Sequence, residues 1–196
     1  MYAFFNVKLK RFFKVALLSL IVLIIFTVAL LTTIKIVEKK SYPLKYKELV
    51  LESAREYNLD CALIFSVIKV ESNFNNKAKS SAGALGLMQV LPSTAEYIAE
   101  MLKISEYSLF DERTNIEFGS YYLRYLIDKF SDIDTALCAY NAGEGKVKEW
   151  LKNKEYSKDG KRLFSVPYRE TREYLNKIKK SLEKYKKIYE NILDKL

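Results

Sequence analysis

The sequence predicts an all-α protein preceded by one membrane-spanning helix. Three observations carry that expectation. Beyond residue 45 apolar side chains recur every three or four positions, no sustained two-residue alternation appears, and Val15 to Ile34 forms a run of twenty residues without a charge. As a helix such a run covers about 30 Å, the thickness of a hydrocarbon core. The organisation that follows is a basic cytoplasmic segment at 1–14, an anchor at 15–37, a linker at 38–45 and a helical domain at 46–196 that ends in an extended helix.

Lys8, Lys10, Arg11 and Lys14 precede the apolar run. They suit the n-region of a secretory signal as well as the cytoplasmic flank of an anchor. A signal needs a shorter apolar stretch and a small-x-small cleavage site, whereas Thr27 and Ala29 lie inside the run. No cysteine follows it for lipid attachment, so an uncleaved anchor is the favoured reading. The basic flank then holds the N-terminus in the cytoplasm and places the domain outside, although Lys35, Lys39 and Lys40, offset in part by Glu38, weaken the asymmetry.

Within the domain, Tyr46 to Tyr57 reads as one helix, and Asn58 with Asp60 marks a break and an N-cap for the next. That next helix, Cys61 to Ser72, is apolar on most sides. Pro92 and Ser93 open a helix to Lys103, and Asn115 to Phe130 carries Ile116, Gly119, Leu123, Leu126, Ile127 and Phe130 on one stripe. Asp134 caps a short helix ending in AYNAGEG, and a polar loop from Asn153 to Arg162 leads to Pro167. The tail from Thr171 repeats Leu175, Ile178, Leu182, Tyr185, Ile188 or Tyr189, Ile192 and Leu196. It is lysine-rich, so a membrane-surface helix is conceivable, but packing the stripe on the domain is the simpler expectation.

Composition narrows the chemistry. The chain has no histidine, which removes Ser-His-Asp and Cys-His nucleophiles and His-dependent zinc sites. Its net charge of +9 suggests a polyanion, yet residues 1–40 hold seven Lys/Arg against one Glu, so the rest carries only +3 and no nucleic-acid partner is expected. Cys61 and Cys138 each sit in an apolar stretch and read as buried free thiols, with pairing left open.

Glu71 follows Ile64, Val67 and Ile68 on one helix face, so its carboxyl group should emerge against hydrocarbon, with a raised pKa and the capacity to deliver a proton near neutrality. A solvated helix-end glutamate is the competing reading. Of six glycines, Gly83, Gly86, Gly143 and Gly145 fall in two short segments that look like loop walls. The stretch SSAGALGLMQ after the acid suggests a groove floor, on which Gly86→Val should impair turnover more than stability. A P-loop reading of GEGK fails, because Tyr140 stands where the motif's first glycine belongs and Val147 where Ser or Thr should follow.

Four segments, ESNF (71–74), SSAGALGLMQVLPSTA (80–95), AYNAG (139–143) and PYRETREY (167–174), resemble in order and spacing the soluble-lytic-transglycosylase family, relatives of goose-type lysozyme. The resemblance covers about residues 46–180 and implies a lysozyme-like helical domain whose groove binds glycan strands of peptidoglycan. It further implies Glu71 as the catalytic acid, with Ser72 completing its Glu-Ser pair. Ser80, Gly86, Gln89, Tyr140 and Asn141 match substrate-binding positions, and Glu170 matches a supporting one. Cys61 and Leu91 depart from the usual proline and methionine without touching an acid or an amide.

Hydrolytic glycosidases ordinarily need two carboxylates, and here one stands out, Glu96 reading as surface and Glu170 as support. The family's reaction fits a single carboxylate: the acid protonates the bridging oxygen between N-acetylmuramic acid and N-acetylglucosamine, then accepts the muramic O6 proton as a 1,6-anhydro end closes. Hydrolysis in the same groove, and a non-catalytic wall-binding module, remain as alternatives. No metal and no cofactor is expected; the partners are glycan strands and, through the first helix, the membrane.

Overall fold

The computed structural model describes the backbone of residues 2–193 and the side chains of residues 11–190. Lys8 and Lys10 of the basic flank, and Ile192 and Leu196 of the last stripe, therefore lie outside the described side chains. Two compact units divide between Pro43 and Leu44.

The first unit is a single helix, α1 (Tyr2–Ser41). Its stretch Arg11–Ser41 is long and apolar enough to cross a membrane, with a mean hydropathy of 3.0 over its most apolar window. Hydroxyl groups within it are satisfied internally: Thr27 donates to the Leu23 carbonyl at 2.6 Å, Thr32 to Val28 at 2.9 Å and Thr33 to Ala29 at 2.8 Å. Hydrocarbon surroundings demand that of every polar group. The helix also runs through residues 38–41, assigned by sequence to the linker, because Glu38, Lys39 and Lys40 are good helix formers and the break comes only at Pro43.

The second unit is built from α2 (Lys47–Glu56), α3 (Cys61–Ser72), α4 (Pro92–Leu102), α5 (Glu112–Phe130), α6 (Ile133–Ala142), α7 (Glu144–Lys152) and α8 (Arg169–Leu193). No strand occurs among the described residues, only the isolated bridges of Lys79 with Leu85 and Leu85 with Val90. The chain is all-α, as the sequence predicts.

α3 is the central helix. Asp60 caps it by accepting the Ala62 N–H at 2.8 Å, and every residue from Ala62 to Ile68 is buried. It stops because Asn73 and Phe74 both turn left-handed (φ 48° and 64°), which lets Phe74 fold under and pack near Phe65. α8 lies along α3, with Tyr185 stacked on Phe65 at 5.4 Å between ring centroids. The lysine-rich tail thus packs on the domain, but its stripe is rotated from the one read by counting leucines. Thr171, Tyr174, Ile178, Ser181, Tyr185 and Tyr189 are buried, while Leu175 and Leu182 are half-buried at its edge.

Three further boundaries differ from expectation, each for a local reason. α5 starts at Glu112 because Asp111 accepts the Thr114 N–H at 2.9 Å. α6 is capped by Asp132, which accepts the Thr135 N–H at 2.8 Å, whereas Asp134 pairs with Lys179 on α8 at 2.7 Å. α7 is a helix the sequence does not announce: it opens at a glycine and buries only Val147 and Trp150. Those two join Leu126, Phe130, Ala136, Cys138, Ala139 and Val166 in a second core cluster. Cys61 and Cys138 are not joined by a disulfide. Cys138 is buried, and burial pushes it up to about 12, while Cys61 is half-buried rather than fully buried.

Candidate active site

An open groove of about 380 Å³ gathers residues from the end of α3, the segment 80–94, α5, the end of α6 and the start of α8. Glu71, Ser80, Gln89, Tyr140, Asn141 and Glu170, distant in sequence, all line it.

The segment between α3 and α4 has little regular structure, and its shape comes from side chains of the surrounding helices. Asn115, fully buried on α5, accepts the Met88 N–H at 2.7 Å and donates to the Leu85 and Leu109 carbonyls at 2.9 and 2.8 Å. Ser72 donates to the Leu87 carbonyl at 2.7 Å, and the Tyr140 hydroxyl to the Met88 carbonyl at 2.8 Å. Apart from the Leu85 carbonyl, which also accepts the Val90 N–H at 3.0 Å, each is a buried or half-buried backbone group that would otherwise lack a partner. Asn115→Leu should therefore cost about 3 kcal/mol or more by orphaning the Met88 N–H and the Leu109 carbonyl, read as a lower midpoint in urea unfolding.

Gln89 sits in a left-handed conformation (φ 51°) and its amide nitrogen donates to the Gly86 and Ala78 carbonyls at 2.9 and 3.2 Å. That nitrogen is thus committed to holding the wall. Ser80 similarly accepts the Ala84 N–H at 3.0 Å while facing the groove. Ser72 lies behind the groove, as the brace just described. Gly86 does not line the groove: it is buried, with φ 78°, and a Cβ built there would lie 2.2 Å from the Asn115 side-chain nitrogen and 2.3 Å from the Leu109 carbonyl oxygen. The lining role assigned to Gly86 by sequence is corrected accordingly: it is a packing glycine beneath the wall.

Glu71 is half-buried at the groove, and the Tyr174 hydroxyl donates to its Oε1 at 2.7 Å. Burial raises its pKa to about 7, and the Tyr174 hydrogen bond, which favours the carboxylate, pulls the other way. The phenols of Tyr174 and Tyr140 are driven well above their ordinary value by burial and then by the Glu71 charge, so both stay protonated and serve as donors. Tyr140 is partly exposed, with its ring against Tyr122 at 5.6 Å in the same wall. Removing the donor in Tyr174→Phe should shift the alkaline limb of any Glu71-dependent pH profile to higher pH, a change that a purely structural role for the tyrosine would not produce.

Tyr174 is the residue that sequence reasoning missed. It lies within the segment PYRETREY, and the spacing 171, 174, 178, 181 and 185 marks the buried face once tyrosine and small polar residues are counted as core. Among the described residues no group of three or more Cys, Asp or Glu side chains is placed to hold a metal ion. Burial of one acid, held by a phenol at the wall of a polar groove in an all-helical domain, is the arrangement of the lysozyme-like class.

Within that class, the chain belongs to the transglycosylase SLT domain family, whose sequence model matches residues 48–163. It is 34% identical over 146 residues to the soluble lytic murein transglycosylase of Escherichia coli, covering 71% of this chain and 23% of that one. It is 32% identical over 169 residues to the membrane-bound lytic murein transglycosylase C of Histophilus somni, covering 74% and 47%. Among solved structures, the 70 kDa soluble lytic transglycosylase of Escherichia coli superposes with a TM-score of 0.67 at 30% identity, over 76% of this chain and 25% of that one. The same 70 kDa enzyme in complex with bulgecin A gives 0.68. This chain thus spans about a quarter of the length of these soluble relatives.

Proposed function

We propose that the domain is a peptidoglycan lytic transglycosylase that cleaves the bond between N-acetylmuramic acid and N-acetylglucosamine and leaves 1,6-anhydro ends. The observation that carries the reading is Glu71, an acid raised to about 7 and oriented by Tyr174 inside an open groove of about 380 Å³. Near neutral pH a substantial fraction of it is protonated, which suits donation to a glycosidic oxygen.

A second carboxylate, Glu170, lines the groove but is exposed, and Glu71 is the one shielded from water. One acid suffices if the substrate supplies the nucleophile. Glu71 donates its proton to the bridging oxygen, and the carbon–oxygen bond to the leaving sugar breaks. The carboxylate that results then accepts the proton of the muramic O6 hydroxyl as that oxygen closes on the anomeric carbon. Atoms balance with no water consumed, and Glu71 ends protonated again. Tyr140 and Asn141 face the same space and are assigned to positioning the sugar, with Ser80 beside them and Glu170 supporting the groove's edge.

Mass analysis of fragments released from purified glycan strands tests this. Fragments lighter by one water than hydrolytic products are expected. Full-weight reducing ends would mean that water is the nucleophile, and binding without release would mean a wall-binding module.

We further infer that α1 anchors the chain with its N-terminus in the cytoplasm and the domain on the wall side. An apolar, solvent-exposed helix preceded by basic residues supports this, and the name of the Histophilus somni relative agrees. The chain should stay in the membrane fraction after an alkaline wash, and only the domain should be accessible to protease from outside. Release by the wash would contradict anchoring.

A further inference from the structure

A second concavity lies on the domain outside the groove. After α7 the chain turns back through residues 153–162, and that segment, α7 and the C-terminal end of α5 border two adjoining clefts of about 580 and 890 Å³. The clefts share Lys148, Leu151 and Gly160, none of which lines the groove.

Charge is segregated here. The lining contains seven cationic side chains and a single acidic one, Asp159, although residues 41–196 as a whole carry a net charge of only +3. Part of this charge is committed: Lys129 and Lys148 both pair with Glu144, and the Arg162 Nε faces Asp159 at 3.5 Å. Lys152, Lys154, Lys158 and Lys161 are exposed and form no ion pair among the described residues. Lys158 lies over the Phe164 ring at 5.3 Å and Lys152 helps hold Glu149 as a carboxylate, but no described acidic side chain forms an ion pair with any of the four, and their mutual repulsion opposes the fold slightly.

The mixture of residues indicates which anion fits. Planar carboxylates are best matched by arginine forks, whereas lysine acts as a point charge suited to phosphate. Six of the seven cations are lysines, and the one arginine already meets Asp159. The lining's only aromatic residue is Phe130, which is 7% exposed, and the exposed Phe164 ring beside the cleft carries the Lys158 ammonium over its face at 5.3 Å, so the cleft lacks the series of open rings on which successive bases stack. The concave shape suits a strand rather than a flat lipid surface.

We propose that this cleft binds a linear, phosphate-bearing polymer without bases, as an attachment separate from the glycan groove. The two sites share one frame. Glu144, which holds Lys129 and Lys148, directly follows the groove residue Gly143, and accepts the hydroxyl of Tyr125, which in turn stacks on the groove residue Tyr122. A polymer held in the cleft keeps the groove close to the wall that carries it.

The test uses the full chain in detergent, with linear inorganic polyphosphate as the probe and a variant carrying Lys152→Gln, Lys158→Gln and Lys161→Gln. Four neutralised phosphates predict a wild-type affinity that falls about 50-fold between roughly 50 and 200 mM salt. The variant should bind at least about tenfold more weakly with a shallower salt dependence, at an unchanged melting temperature and unchanged cleavage of bare glycan strands. Lys154→Gln with Lys161→Gln serves as a second variant should the first unfold. Equal polyphosphate binding by wild type and variants, no binding at all, or binding confined to phosphatidylglycerol vesicles or single-stranded DNA would overturn the proposal. Glycan cleavage is measured separately, so failure of the groove's assigned activity leaves this result readable.

Discussion

Glu71→Gln should reduce strand cleavage by at least about 10²- to 10⁴-fold while making the folded domain more stable in alkaline solution. The substitution is nearly isosteric, and the new amide oxygen can still accept the Tyr174 hydroxyl, so the loss falls on proton transfer. The stability effect follows from the raised pKa. Folding moves Glu71 from its ordinary 4.5 to about 7, so between those values the folded state holds the proton more tightly than the unfolded chain. Its ionisation costs nothing below 4.5, costs progressively more as pH rises towards 7, and costs a constant amount above that. Glutamine cannot ionise. The variant's stability relative to wild type should therefore improve by up to about 3 kcal/mol between roughly pH 4 and pH 8, read from denaturant midpoints at the two ends. A variant that gains nothing at high pH would show that Glu71 is ionised in the native protein without penalty.

Gly86→Val should unfold the domain rather than block its groove. The added side chain must occupy a left-handed backbone conformation and overlap the Asn115 amide and the Leu109 carbonyl, both fixed by the hydrogen bonds that hold the segment. Strain of about 1–3 kcal/mol for the backbone and a similar amount for overpacking together reach about 3–5 kcal/mol, a large part of an ordinary domain's stability. Thermal midpoint and turnover should fall together. An intact melting transition with lost cleavage would restore Gly86 to the groove wall. Gly83 provides the contrast: its φ is 85°, but a Cβ there meets nothing within 4 Å, so only the backbone cost remains.

The fold was legible because its signals are local. Asp60 before an apolar run, Pro92 at a helix start and the twenty uncharged residues of α1 act within a few positions of themselves. α7 was not legible, since Val147 and Trp150 are too few to set a period and only the cluster with Leu126, Phe130 and Val166 explains their burial. The burial of the Glu71 carboxyl was legible as well, because Ile64, Val67 and Ile68 share its helix face and are all buried. Its partner was not. Tyr174 lies 103 residues further on, and its contact with Glu71 depends on how α8 packs along α3, which periodicity in either helix cannot specify. Gly86 shows the same limit in reverse. Sequence indicates that glycine is needed there, but whether a sugar or an asparagine occupies the space beside it is settled only by tertiary packing.

Titration of the Glu71 carboxyl carbon by NMR, in the isotopically labelled protein with Glu71→Gln as the assignment control, tests the central claim most directly. A midpoint near 7, moving upward in Tyr174→Phe, is the expected result. A midpoint near the ordinary 4.5, unchanged by loss of the tyrosine hydroxyl, would contradict an acid held in reserve for proton delivery.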